Sequence, residues 1–467
     1  MIEASLMRAA PWADGIRDAD GAIEPDFLAA IRAAITSGDH DRLTALAGDL
    51  YEADLADVIE ALDAEERPRL IAIMGADFDF TALTEVEDLV REELLEDIPN
   101  AQIAQGMRDL ESDDAVYILE TMEQEDQDEV LASLPMDERI TLERSLDYPE
   151  DSAGRLMQTD IIALPPFWSV GQTIDHLRES ADLPETFYEI FVVDKENRIT
   201  GHVSLNRLLR TRRPERIETI MDEADHVVMA SDHQADVAEL FKRYNLVSIP
   251  VVDAEQRLVG VLTFDDIVDV IDEEADAEIR ALGGVKADED LSDSVLQTAR
   301  ARFAWLFVNL LTAILASVVI DFFKGSLEKM VALAVLMPIV ASQGGNAGTQ
   351  TMTVAVRALA TRALGGNTAR RFVLREVRVG LFNGCAFALI MGLVAAFWFQ
   401  SAELGLVMGI AIIVNLFAAG LAGVLIPLAL ERAGIDPAVA SGPFVTTVTD
   451  IVGFFAFLGV ATLWFHL

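Results

Sequence analysis

Five apolar segments close the chain, at roughly residues 304–323, 330–356, 379–400, 404–430 and 438–465. Each is long enough to cross a ~30 Å hydrocarbon layer as a helix. Lipid offers no partner for backbone N–H and C=O groups, so the segments must be helical. Residues 301–467 are therefore expected to form a polytopic α-helical membrane domain with five transmembrane helices. Charge separates this domain from what precedes it. Ten Lys and Arg stand against seven Asp and Glu from Arg302 onward, and of the whole-chain −43 that leaves −46 for residues 1–300. So acidic a region repels phosphate backbones, which excludes nucleic acid as a partner, and it suits a cation. The N-terminal stretch, with Glu3, Asp14, Asp18 and Asp20, has no apolar signal core, so residues 1–300 are expected in the cytosol.

The connection between the second and third segments carries Arg357, Arg362, Arg370, Arg371, Arg375 and Arg378 against Glu376 alone. The positive-inside rule makes it cytosolic and sends the C-terminus outside, in agreement with a cytosolic N-terminal region. A lone Cys385 excludes disulfides and thiolate metal sites, and the six histidines form no ligand pair. Any bound cation should then be hard and oxygen-liganded.

The soluble region divides by pattern. Residues 1–25 read as a poorly ordered leader. Residues 26–150 read as short amphipathic helices in which Leu55–Leu62 reappears 48 positions later as Ile103–Leu110, the mark of an all-α superhelical domain. Residues 151–266 hold a clearer duplication, about 155–212 and 217–266. Phe191-Val-Val-Asp-Lys-Glu-Asn-Arg-Ile-Thr-Gly matches Pro250-Val-Val-Asp-Ala-Glu-Gln-Arg-Leu-Val-Gly, each copy being strand, turn, strand and helix start. Ser204 and Thr263 stand at the strand-to-helix junctions. The duplication resembles an α/β tandem pair of CBS domains. That resemblance implies an adenine-nucleotide site in the second copy, with Thr263 and Asp266 at the ribose. In the first copy Arg207 replaces the acid.

Residues 267–300 form a connecting helix and an acidic linker. Val268, Ile271, Ala275, Ile279 and Leu282 are expected on one face, with Asp269, Asp272, Glu273, Glu274 and Asp276 around the others, where like charges repel. The face is either merely solvated or a switch.

Two spans carry polar groups that lipid would not tolerate. The second reads Met337-Pro-Ile-Val-Ala-Ser-Gln-Gly-Gly-Asn-Ala-Gly-Thr-Gln350, in which Gln343, Asn346, Thr349 and Gln350 call for a protein-lined or wet cavity. Its glycines also permit close helix packing. The fifth places Asp450 about 18 Å beyond Ala438, mid-membrane, beside Thr446, Thr447 and Thr449. A carboxylate at that depth needs water, a cation or a partner, and marks an ion path.

In this order of domains, in the Gly-Gly-Asn-x-Gly-x-Gln run and in the Ser-x-Pro…Asp of the fifth span, the chain resembles the MgtE family of magnesium channels. The resemblance implies a transporter in the plasma (inner) membrane rather than an enzyme, and a homodimer with one pore. Asp450 would hold hydrated Mg²⁺ there, with Asn346, Gln350, Thr446 and Thr447 beside it. It implies cytosolic Mg²⁺ sites that close the gate, mapped onto Asp266, Asp269, Glu274 and Glu278, with Asp113 or Asp114 opposite. Mg²⁺ is thus both cargo and regulator, and ATP or a related nucleotide is a second ligand. Two other readings of the residues remain: a coupled divalent-cation carrier, and a non-conducting membrane receptor regulated by its CBS pair.

Overall fold

The computed structural model describes residues 16–18, 21–180, 183, 184, 186–285, 295–360, 364 and 366–467. Most of the 1–25 leader, most of the 283–294 linker and Arg362 lie outside the described residues. The chain divides into two compact units, Met1–Glu273 and Glu274–Leu467.

The first unit begins with short helices from Pro25–Ser37 to Met136–Leu146 around one continuous apolar core. Their spacing follows a rule finer than the 48-residue offset. The residues preceding seven of these helices are Asp39, Tyr51, Glu87, Pro99, Glu111, Glu123 and Pro135, all separated by twelve or a multiple of it, while Arg67–Met74, preceded by Glu66, starts out of step. Every twelfth residue from Leu50 through Leu62, Met74, Val86, Ile98, Leu110, Met122, Leu134 and Leu146 is apolar and packs on the core. The 48-residue offset is four such units. Apart from residues 75–86, which form only 3₁₀ turns, each unit holds one helix of two to three turns, too short to be stable alone, so stability comes from stacking. Neighbours alternate: Asn100–Gly106 packs on Gln124–Ser133, and Ser112–Glu120 on Met136–Leu146. The arrangement is superhelical.

Two three-stranded sheets follow. The first is β1 (Ala163–Leu164), β2 (Glu189–Val193) and β3 (Ile199–Ser204), and the second is β4 (Val228–Met229), β5 (Ser248–Val252) and β6 (Leu258–Thr263). In each, the first pair of strands is parallel and the second antiparallel. The duplication extends to the turns. Asp194 accepts from the backbone N–H of Glu196 and Arg198, and Asp253 accepts from those of Glu255 and Arg257. The residues closing these turns, Asn197 (φ 61°) and Gln256 (φ 65°), both adopt the left-handed conformation. The two copies meet through Asn197, whose side chain donates to the Leu258 carbonyl at 2.9 Å, and through buried Phe191, Leu258 and Val261.

The connecting helix starts at Phe264, directly from β6, and runs to Leu282. Its buried face differs from the expected one. Ile267 and Val270 are fully enclosed in the core of the second CBS copy, while Val268 and Ile279 are exposed. The first two turns complete that core, and this sets the helix's rotation in place of its own apolar stripe.

In the second unit the five long helices are Val295–Phe322, Val331–Ala360, Gly366–Trp398, Ala402–Arg432 and Pro437–Phe465, with a short Lys324–Lys329 helix after the first. Hydropathy placed the start of the third span near Val379, yet its helix begins at Gly366. Arg370, Arg371, Arg375 and Arg378 therefore sit on its first turns and not in a loop. Hydropathy marks where lipid begins, and a solvated helix can extend beyond it. The second span runs on as one helix through Pro338, whose missing N–H removes one hydrogen bond from the ladder without ending the helix. Spans two, four and five form the buried centre, and the first span buries only Ala316.

Candidate functional site

Glycines let spans two, four and five pack closely. A Cβ on Gly348 would lie 2.7 Å from Val445 Cγ1 on the fifth span. One on Gly344 would lie 2.1 Å from the Asn415 amide on the fourth, and one on Gly453 would meet the same amide at 2.6 Å. These glycines are required by space. Asn415, 1% exposed, donates to the Val340 carbonyl at 2.8 Å and ties span four to span two. Asn415 thus acts as a bridge between helices.

On the other side of span two, Asn346, Thr349 and Gln350 are exposed, and Gln343 is partly so. On span five, Thr446 is exposed and Asp450 half-buried. Gly348 lies between Asn346 and Gln350, and it meets span five beside Thr446 and Asp450. Both spans thus carry polar side chains on the outer surface of a single chain. Asp450 has no hydrogen-bond or ion-pair partner among the described residues. The threonines are partly spoken for. Thr446 donates to the Gly442 carbonyl at 3.0 Å, Thr447 to Pro443 at 2.6 Å, and Thr449 to Val445 at 3.1 Å. Such bonds leave the hydroxyl lone pairs as acceptors but fix their direction. Thr447 and Thr449 are buried, so of the expected pore residues Asn346, Gln350, Thr446 and Asp450 are the ones left at the surface.

A second polar feature was not read from sequence as a site. Glu376 on the third span is 7% exposed, and its Oε2 accepts from Thr351 Oγ1 at 3.3 Å. The signal was present, since Glu376 is the single acid within an arginine-rich stretch.

In the first unit, acids from the helical domain meet the start of the connecting helix. The Ser112 hydroxyl accepts from the Thr159 N–H at 2.8 Å, and the Gln158 amide donates to Glu111, which seats the Ser112–Glu120 helix N-terminus on the CBS pair. Asp113 and Asp114 thereby approach Asp266. Burial first, then the Asp266, Asp114 and Glu111 charges, raise Asp113 well above the usual carboxylate range. Burial first, then the Asp266, Glu111, Glu85 and Asp265 charges, push Asp114 up to about 7. Burial takes Asp266 to about 6 against the pull of its bond from Thr263. Glu85 and Asp269 are both raised, chiefly by burial, with the Asp269 charge adding at Glu85 and the Asp272 and Asp265 charges at Asp269. Glu85, Glu111 and Asp265 were not in the sequence-derived set. They enter through their charges, which act on Asp114 beside that of Asp266.

Among the described residues no three carboxylates, histidines or thiols converge as a ready metal cage. The donors fit a cation differently: crowded like charges, driven toward protonation, that a hydrated divalent ion would relieve from its outer shell. Two expected members stand apart. Glu274 is exposed, and Glu278 forms an ion pair with Arg357 of span two, so its carboxylate already has a cation.

At the expected nucleotide position, the Thr263 hydroxyl donates to Asp266 Oδ2 at 2.6 Å. In the first copy Arg207 pairs with Asp222.

Comparison with known proteins agrees along the chain. The profile of the divalent cation transporter family MgtE matches residues 337–460, that of the MgtE intracellular N domain matches 50–151, and that of the CBS domain matches 153–213 and 217–273. The chain is 28% identical over 418 residues to the magnesium transporter MgtE of Bacillus subtilis, covering 90% of this chain and 93% of that protein. It is 37% identical over 332 residues to the magnesium transporter MgtE of Thermus thermophilus, covering 70% and 72%. A crystal structure of the cytosolic domain of the Mg²⁺ channel MgtE in complex with ATP is 28% identical, with a TM-score of 0.49, over 52% of this chain and 99% of that one. With its soluble domains and its five membrane helices each accounted for, this chain belongs to the MgtE family of divalent cation transporters.

Proposed function

We propose that the protein is a magnesium channel that mediates Mg²⁺ uptake across the plasma membrane and is closed by cytosolic Mg²⁺. The observation that carries the reading is Asp450, a half-buried carboxylate without a partner among the described residues, and with exposed Asn346, Gln350 and Thr446 we read it as one polar seam. Lipid cannot cover such a seam, so a second copy of the chain does, with water between. A homodimer pairs two Asp450 carboxylates across the pore, with Asn346, Gln350 and Thr446 as neutral oxygen donors. Mg²⁺ sheds water reluctantly and suits few charges and many neutral oxygens. The arginine-bearing ends of spans two and three put that side in the cytosol and the C-terminus outside.

Closure follows from the acidic contact. Asp113, Asp114, Asp266 and Asp269 repel one another until a cation neutralises them. A shift from 1:99 to 99:1 needs about 5.5 kcal/mol of differential binding, within reach of several weak sites. Purified protein in liposomes should pass Mg²⁺ down its gradient at equal pH on both sides and without sodium. Buried Glu376 favours a second reading, a proton-coupled carrier. Flux that requires a pH gradient, and that is lost in Glu376→Gln, would establish that reading in its place.

An adenine nucleotide binds the second CBS copy, supported by the Thr263–Asp266 pair at the β6–helix junction. Asp266→Ala should weaken ATP binding about tenfold or more in equilibrium dialysis, while Arg207→Ala leaves it unchanged. Undiminished binding by Asp266→Ala would remove the assignment.

A further inference from the structure

The outer face of span three has a character of its own. Arg371, Arg375 and Arg378 recur at i, i+4 and i+7, and the same stripe continues through Phe382, Leu389 and Leu393. Phe382 is 77% exposed, Leu389 67% and Leu393 64%, so this is a side the protein leaves to lipid. The opposite side is packed: Gly380 abuts the Leu416 carbonyl, and the Glu376 carbonyl abuts Gly420, both on span four. From Val379 to Trp398 the helix rises about 28 Å, the thickness of the hydrocarbon layer. Trp398 then lies at one interface, and the three arginines lie in the headgroup layer of the other. All three are exposed. Arg375 stands 3.7 Å from Glu376, while Arg371 and Arg378 have no ion-pair partner among the described residues.

We propose that this arginine stripe binds the headgroup of an anionic phospholipid. Guanidinium forks match phosphate oxygens in pairs, and three of them over about 10 Å of helix can clamp one or two phosphodiesters at headgroup depth. The alternative, a merely solvated basic end that sets orientation, needs positive charge but no particular lipid. A zwitterionic lipid carries its own cation beside the phosphate and competes poorly. The inference rests only on the helix being a membrane span, and it is independent of which ion the protein moves.

The test uses the full-length protein in nanodiscs of phosphatidylcholine with and without phosphatidylglycerol. Bound lipid is counted by native mass spectrometry, and thermal unfolding is followed in parallel. The native protein should retain phosphatidylglycerol severalfold over phosphatidylcholine and melt several degrees higher in its presence. R371Q/R375Q/R378Q should lose both effects. R371K/R375K/R378K, which preserves charge and orientation, should lose most of the retention. Millimolar inorganic phosphate added to phosphatidylcholine discs should give no shift. Equal retention of the two lipids by the native protein would reduce the stripe to a topology signal, and full retention by the lysine variant would replace paired guanidinium recognition with bulk charge. A shift with phosphate alone would make it a soluble-anion site and overturn the lipid assignment. Should the glutamine variant fail to insert, the lysine variant and the native lipid preference still decide the outcome.

Discussion

Replacing Asp450 by alanine should reduce Mg²⁺ flux to the level of empty liposomes while leaving insertion, folding and dimerisation intact. The side chain is half-buried and has no partner among the described residues, so its removal breaks no hydrogen bond and opens no cavity in the packed centre. Asp450→Asn keeps the volume and removes the charge, and it should lose most of the flux as well. In a pore with so few acids the attraction for a doubly charged ion resides in that carboxylate. Stopped-flow uptake with a fluorescent Mg²⁺ indicator, on protein whose dimer is verified by size, reads both variants. Native-like flux in Asp450→Ala would move the ion path away from spans two and five.

The acidic contact in the first unit should respond to protons as it does to Mg²⁺. Asp113, Asp114 and Asp266 have folded pKa values above their unfolded ones, the latter two at about 7 and about 6. Their folded form takes up protons, so their contribution to the contact is fully present below about pH 4 and is lost as pH rises through 6 to 7. Each proton so linked changes the balance by about 1.4 kcal/mol per pH unit within that window. Without Mg²⁺, the start of the connecting helix at residues 264–273 should resist protease at pH 5.5 and be cut readily at pH 8. Millimolar Mg²⁺ at pH 8 should restore resistance, and Na⁺ at matched ionic strength should not, because screening alone leaves the buried charges unpaired. D113N/D114N/D266N should be resistant at both pH values regardless of Mg²⁺. A native protein whose cleavage ignores pH, or a triple variant that still needs Mg²⁺, would place the control elsewhere.

Much of this was legible from residue order. The five spans follow from segment length and hydropathy, the CBS duplication from matched strand and turn residues, and Asp450 from a charge where lipid forbids one. What escaped was whatever depends on neighbours distant in sequence. The buried face of the connecting helix was misread because Ile267 and Val270 belong to the core of β5 and β6 before they belong to an amphipathic stripe. Glu278 reads as a free acid in sequence and is an ion-pair partner in three dimensions, because Arg357 lies 79 residues away. Glu85 and Glu111 were invisible as site residues because their approach to Asp269 and Asp266 depends on how the helical units stack. The twelve-residue period was present in plain sight but obscured by variable helix lengths. Only the observed helix starts reveal it.

That period has a consequence for how such a domain can change. Residues 75–86 keep apolar Ala82, Leu83 and Val86 in phase although they form only 3₁₀ turns, so phase is preserved even where the helix is not. Gain or loss of twelve residues leaves every later unit in step, whereas any other number rotates all that follows out of the core. The domain is therefore a ruler graduated in twelves. Its reach toward the CBS pair can be lengthened or shortened by whole divisions, with the acids at its working end carried along intact.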